Sequence, residues 1–124
     1  LLLHSGANVE AQDRRQVSAL STAARNGHLE CVQLLINAGA KIHTTDRNGS
    51  TPLHRAVRGN HVEVVKYLLF AGSDKRVKDN SGNTPAYIAA SLGYIGIVEA
   101  LIDPRSGELD PEDAKKVKIK LSTV

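Results

Sequence analysis

The apolar positions of this chain recur with a period of 33 residues. Leu34-Leu35-Ile36 returns as Tyr67-Leu68-Leu69 and again as Ala100-Leu101-Ile102, while Leu29/Val62/Ile95, Cys31/Val64/Ile97 and Val32/Val65/Val98 form further columns. Within a period these positions follow helical spacing, so each predicts one apolar helical face. Asp13, Asp46 and Asp79 keep the same step, as do Gly6, Gly39 and Gly72. A periodicity of this length marks stacked supersecondary units, none of which can bury its apolar face alone.

A shorter helix is predicted ahead of each apolar one, over Ser18 to Arg25, Thr51 to Arg58 and Thr84 to Ser91. Its leading hydroxyl suits an N-cap that accepts otherwise unpaired backbone N–H groups, and Pro52 and Pro85 stand at the first helical position, where no N–H is needed. Ala23-Ala24, Ala56-Val57 and Ala89-Ala90 keep this helix thin enough for neighbours to approach closely. A Gly-containing turn at Asn26-Gly27, Gly59-Asn60 or Leu92-Gly93 joins the two helices. The second helix is expected to stop at Gly39 and Gly72, which can take the left-handed conformation wanted after a helix end. The opening Leu1-Leu2-Leu3 falls one period before Leu34, so the chain begins inside a repeat and is expected to be a fragment.

Three segments carry a family likeness: Thr51-Pro52-Leu53-His54-Arg55-Ala56, then Gly59-Asn60-His61-Val62-Glu63-Val64-Val65, then Leu68-Leu69-Phe70-Ala71-Gly72. Together they resemble an ankyrin repeat. The resemblance covers residues 1–103, as a partial repeat over 1–12 and repeats over 13–45, 46–78 and 79–103. It implies an all-α solenoid of stacked antiparallel helix pairs, with β-turn fingers projecting around Asp13, Asp46 and Asp79. It also implies that His54 ties backbone groups together through its ring.

The departures locate the weak places. Ser18-Ala19-Leu20-Ser21 keeps the cap of the first full repeat but loses the imidazole bridge. The third repeat holds Tyr87 and Tyr94 in place of both histidines, and Gly93 and Gly96 crowd the start of its second helix. An interior Gly costs about 1 kcal/mol relative to Ala. After Asp103-Pro104 the register fails, and residues 104–124 are expected to form a capping helix or an extended tail: Asp110-Pro111-Glu112-Asp113 suits a helix start, whereas Val117 to Leu121 alternates like a strand.

Composition narrows the chemistry. With one cysteine there is no internal disulfide, and no His or Cys pair stands at metal-binding spacing. Cys31 shares a column with Val64 and Ile97 and is expected to be a buried, inert thiol, while His43 reads as a solvated turn residue. No phosphate-cradling Gly-rich loop is present, and the pair Glu112-Asp113 is explained by a helix N-terminus. The expectation is a non-enzyme without cofactor or metal. No apolar run is long enough to span a bilayer, and an intracellular protein, cytoplasmic or nuclear, is expected from the lone cysteine. Asn48-Gly49-Ser50 matches a glycosylation sequon, and Ser122-Thr123-Val124 matches the C-terminal form that PDZ domains take up as an added strand.

The formal charge of +3 conceals a division: residues 13–78 carry 11 basic and 5 acidic side chains, and residues 79–113 carry 1 basic and 7 acidic. By resemblance, the positions left free by the scaffold lie just after each Asp and at the turn between helices. Those expected to bind a partner are Arg14, Arg15, Val17, Arg25, Asn26, Arg47, Asn48, Ser50 and Arg58; Asn80, Ser81, Asn83, Ser91 and Leu92 fill the matching places of the third repeat. Arginines one period apart form two rows, and the planar guanidinium fork suits carboxylates. The expected partner is therefore a protein offering an acidic segment to the concave side. Nucleic-acid binding is the alternative suggested by the basic stretch, but it lacks an aromatic stacking platform. A structural spacer within a larger protein is the third reading.

Overall fold

The computed structural model describes residues 18–102 together with Asp113 and Lys115. Six helices run through the described stretch: α1 (Ala19–Asn26), α2 (Leu29–Asn37), α3 (Pro52–Arg58), α4 (Val62–Phe70), α5 (Pro85–Leu92) and α6 (Ile95–Leu101). Asp113 and Lys115 are also helical. The capping expected from the sequence is present, with the hydroxyls of Ser18, Thr51 and Thr84 accepting the backbone N–H of Ser21, His54 and Tyr87. Each such cap contributes on the order of 1 kcal/mol. Pro52 and Pro85 open α3 and α5. At the far end of each pair, Gly39 and Gly72 take φ of 96° and 106°, the left-handed conformation that ends α2 and α4.

Consecutive helices pair within a repeat, and the pairs then stack in two rows: α1 on α3 on α5, and α2 on α4 on α6. The first row is built from small residues. Ala24, Ala56 and Ala89 are completely buried, so these helices meet almost backbone to backbone. The second row supplies volume through Val32, Leu35, Val65, Leu68, Ile97 and Leu101, all of them buried. One continuous core runs along the stack, as a solenoid requires. Cys31 departs from the expectation of full burial. It is half-buried, packed against the edge of the core.

Connectors between repeats form the fingers. Asp46 Oδ1 accepts the N–H groups of Asn48 and Ser50 at 2.8 and 3.0 Å, and Asp79 Oδ1 accepts those of Ser81 and Asn83 at 2.9 and 3.0 Å. The period-33 aspartates are therefore turn-formers, each closing its own loop. Adjacent fingers are stitched together, since Asn80 donates its backbone N–H to Asn48 O and its side-chain amide to Arg47 O, both at 2.9 Å. His43, expected to be merely solvated, is exposed but accepts the backbone N–H of Asp74 at 2.9 Å, which joins one connector to the next.

Candidate partner-binding groove

Where the second finger faces the first row of helices, the surface opens into a groove of about 570 Å³ lined by Arg25, Asp46, Arg47, Asn48, Arg55 and Arg58. Arg25 comes from the last turn of α1 and Arg55 and Arg58 from the last turn of α3, where helix C-termini favour cations. Arg47 and Asn48 come from the finger and are exposed. Arg25 is held in place by its backbone: His61 Nε2 donates to Arg25 O at 3.0 Å. Gly59 lies against the same carbonyl, where a Cβ would approach Arg25 O to 2.5 Å, so only glycine allows the repeats to come this close.

Arg55 and Arg58 are engaged with carboxylates of the fingers. Arg55 donates through Nε, at 2.9 Å, and through Nη2 to Asp46 Oδ2. Arg58 donates from Nη1 to Ser50 Oγ at 2.8 Å and from Nη2 to Asp79 Oδ2 at 3.0 Å, linking the second repeat to the third. Burial alone would raise the pKa of Asp46 and of Asp79. For Asp46 the hydrogen bonds from Arg55, Ser50 and Asn48 outweigh that effect, and for Asp79 those from Asn83, Ser81 and Arg58 do, so both stay below the ordinary value of 3.8. Both carboxylates are charged at neutral pH. Among the described residues, no carboxylate pairs with Arg25.

Of the residues expected at the site, Arg25, Arg47, Asn48 and Arg58 converge on this groove. Asn26 is exposed but does not line it. Ser50 must be corrected: it is 0% exposed, because its N–H closes the Asp46 turn and its hydroxyl accepts from Arg58, so it supports the groove from beneath. Arg58 likewise is not free of the scaffold, being an inter-repeat tie as well as a wall of the groove. Arg14, Arg15 and Val17 lie outside the described residues, as do the sequence-based expectations for residues 104–112 and 116–124.

A family model of ankyrin repeats in three copies matches residues 1–79. The chain belongs to the ankyrin-repeat family. Comparison with curated proteins gives no match. The matched segment ends where the third repeat begins, yet α5 and α6 continue the ankyrin stack on the same two rows. Ankyrin repeats are generally protein–protein interaction modules and typically not enzymes.

His43, His54 and His61 serve the ankyrin scaffold. His54 is fully buried; its Nδ1 accepts the Thr51 N–H at 3.1 Å and its Nε2 donates to Asn83 O at 3.1 Å, so one ring caps its own helix and holds the next finger. Burial pulls its pKa below the ordinary 6.5 by more than the Asn83 bond and the Asp79 charge raise it, and the ring is neutral at pH 7. Among the described residues no group of three or more His, Cys, Asp or Glu is placed to hold a metal, and no helix is long and apolar enough to cross a membrane. Arg55 was missed by sequence reasoning, since its slot holds Thr22 and Ile88 in the other repeats and shows no column. Its only signal was Asp46, nine residues earlier.

Proposed function

We infer that this ankyrin array binds a protein partner that lays an acidic segment into the groove between the second finger and the helices α1 and α3. One observation carries the reading: four arginines from two repeats and a finger line a single groove, and Arg25 projects from a pinned backbone with no described carboxylate to neutralise it. Arginine is suited to this role because its fork binds carboxylates bidentately and is only weakly hydrated. Exposed aromatic surface lies elsewhere. Phe70, 85% exposed, stands at the end of α4 beside Leu69 and Ile102, so the groove offers no stacking platform for nucleic-acid bases.

The test replaces Arg25 and Arg47 together by Glu and leaves the structural Arg58 untouched. Binding of a Glu-rich peptide, followed by calorimetry at low and high salt, is expected to weaken and to lose most of its salt dependence in the variant. Unchanged affinity at both salt concentrations would show that the groove is not the binding face.

A further inference from the structure

Resting on that reading of the groove, we propose that Asn80 of the third finger is a positioning residue for it. Asn80 holds Arg47 and Asn48 in their binding arrangement without touching the ligand, so that the acidic segment and the third repeat strengthen each other's attachment.

The groove is not built by the first two repeats alone. Of its six lining residues, Arg47, Asn48 and Arg58 are tied to the third finger. The Asn80 backbone N–H donates to Asn48 O and its side-chain amide to Arg47 O, both at 2.9 Å, while Asp79 Oδ2 accepts from Arg58 Nη2 at 3.0 Å. Asn80 itself does not line the groove. It grips carbonyl oxygens, so what it fixes is the backbone from which the Arg47 and Asn48 side chains project.

The residue type in this slot changes along the stack. Arg14, Arg47 and Asn80 are one period apart, and the row of arginines ends at Asn80. A short amide reaches the equivalent residue of the preceding finger, 33 positions back, with far less rotamer freedom to lose than an arginine. The end of the arginine row is thus the place where the stack exchanges a cation for a tie.

Linkage supplies the consequence. Arg47 and Asn48 are exposed on the second finger, and ordering exposed groups at the moment of binding weakens affinity. A docked third finger orders their backbone in advance. By reciprocity, a ligand that prefers the ordered finger must hold the third repeat more firmly in place. That repeat is the one to respond, because Tyr87 and Tyr94 stand where His54 and His61 tie the second repeat to its neighbours.

Calorimetry of the full chain with a Glu-rich peptide, and hydrogen exchange with and without saturating peptide, test the proposal, with circular dichroism confirming the fold of each variant. Asn80→Ala, which removes the bond to Arg47 O, is expected to weaken binding about fivefold. Lys75→Ala is the stability control: it removes the bond from Nζ to Leu101 O at the end of α6, away from the groove, and should leave affinity unchanged. In the wild type the peptide should slow exchange of the Ser81 and Asn83 N–H groups, which close the third finger, by about fivefold or more. In Asn80→Ala that slowing should shrink with the affinity. Wild-type affinity in Asn80→Ala, or equal weakening by Asn80→Ala and Lys75→Ala, would overturn the positioning role and leave the acidic-segment reading standing. Peptide binding without slower exchange at Ser81 and Asn83 would overturn the linkage. Failure of the peptide to bind the wild-type chain would overturn the acidic-segment reading and this inference together.

Discussion

In the second repeat His54, Arg58 and His61 each reach a neighbour: Asn83 O and Asp79 on one side, Arg25 O on the other. The third repeat places Tyr87, Ser91 and Tyr94 in those slots, and among the described residues none of their side chains makes such a bond. Its attachments come from elsewhere. Thr84 donates its hydroxyl to the buried Asp113 at 2.7 Å, and Lys75, from the connector of the repeat before, donates to Leu101 O at 2.9 Å at the end of α6. Both repeats nevertheless have the same capped first helix, and Ile97 and Leu101 are buried as Val64 and Leu68 are, although Val98 is half-buried where Val65 is fully buried. Capping and apolar spacing are thus sufficient to define the unit, while polar side chains decide how firmly one unit holds the next.

The sharpest way to break this comparison is His54→Leu. The substitution keeps the volume but strands the Thr51 N–H and the Asn83 carbonyl, and buried polar groups left unpaired cost about 1–3 kcal/mol each. A loss of about 3 kcal/mol in urea unfolding is expected, with α5 exposed first. The wild type should also carry an acid signature that this variant lacks. Because the folded pKa of His54 lies below the ordinary 6.5, its contribution is whole above 6.5 and is lost as pH falls below it. Asp46 and Asp79, held below 3.8, add a second loss only as pH drops past 3.8. Stability measured from pH 7.5 down to 3 should therefore fall in two phases in the wild type and keep only the lower one in His54→Leu.

Arg58→Gln is a smaller break, about 1 kcal/mol, since the guanidinium is 36% exposed and Asp79 keeps its two backbone donors. Thermal unfolding would show it, and no change would mean the Asp79 pair is a surface contact without weight. Gly96→Ala narrows the difference from the other direction. A Cβ there meets Val62 Cγ2 at an ordinary 3.5 Å, so the alanine should stabilise the third repeat by roughly 0.5–1 kcal/mol.

Most of the scaffold was legible because the period of 33 repeats its own constraints. Each Ser or Thr cap, first-turn proline and terminal glycine is needed for a local reason that recurs, and the structure places each where the spacing put it. The groove was legible in part. Arg25, Arg47, Asn48 and Arg58 occupy slots that the packing columns do not use. Sequence spacing could not show which arginine a given carboxylate would take, because that depends on competition between side chains from different repeats. Arg55 wins Asp46 from within its own helix, Arg58 crosses to Asp79, and the burial of Ser50 follows from that crossing. The exchange between His43 and Asp74 was hidden for the same reason, since connectors 31 residues apart meet only once the stack exists.

Native-state hydrogen exchange tests most directly the claim that polar ties, rather than the shared backbone, separate the two repeats. Amides of α4 and α6 occupy equivalent positions in the second row, yet α4 belongs to the repeat tied on both sides and α6 starts on Tyr94 with Gly96 in its first turn. The account predicts that α6 exchanges first, through openings that leave α4 protected, and that His54→Leu leaves α4 still the better protected while α5 joins α6 in early opening. Equal protection of α4 and α6 in the wild type, with both opening together, would contradict it.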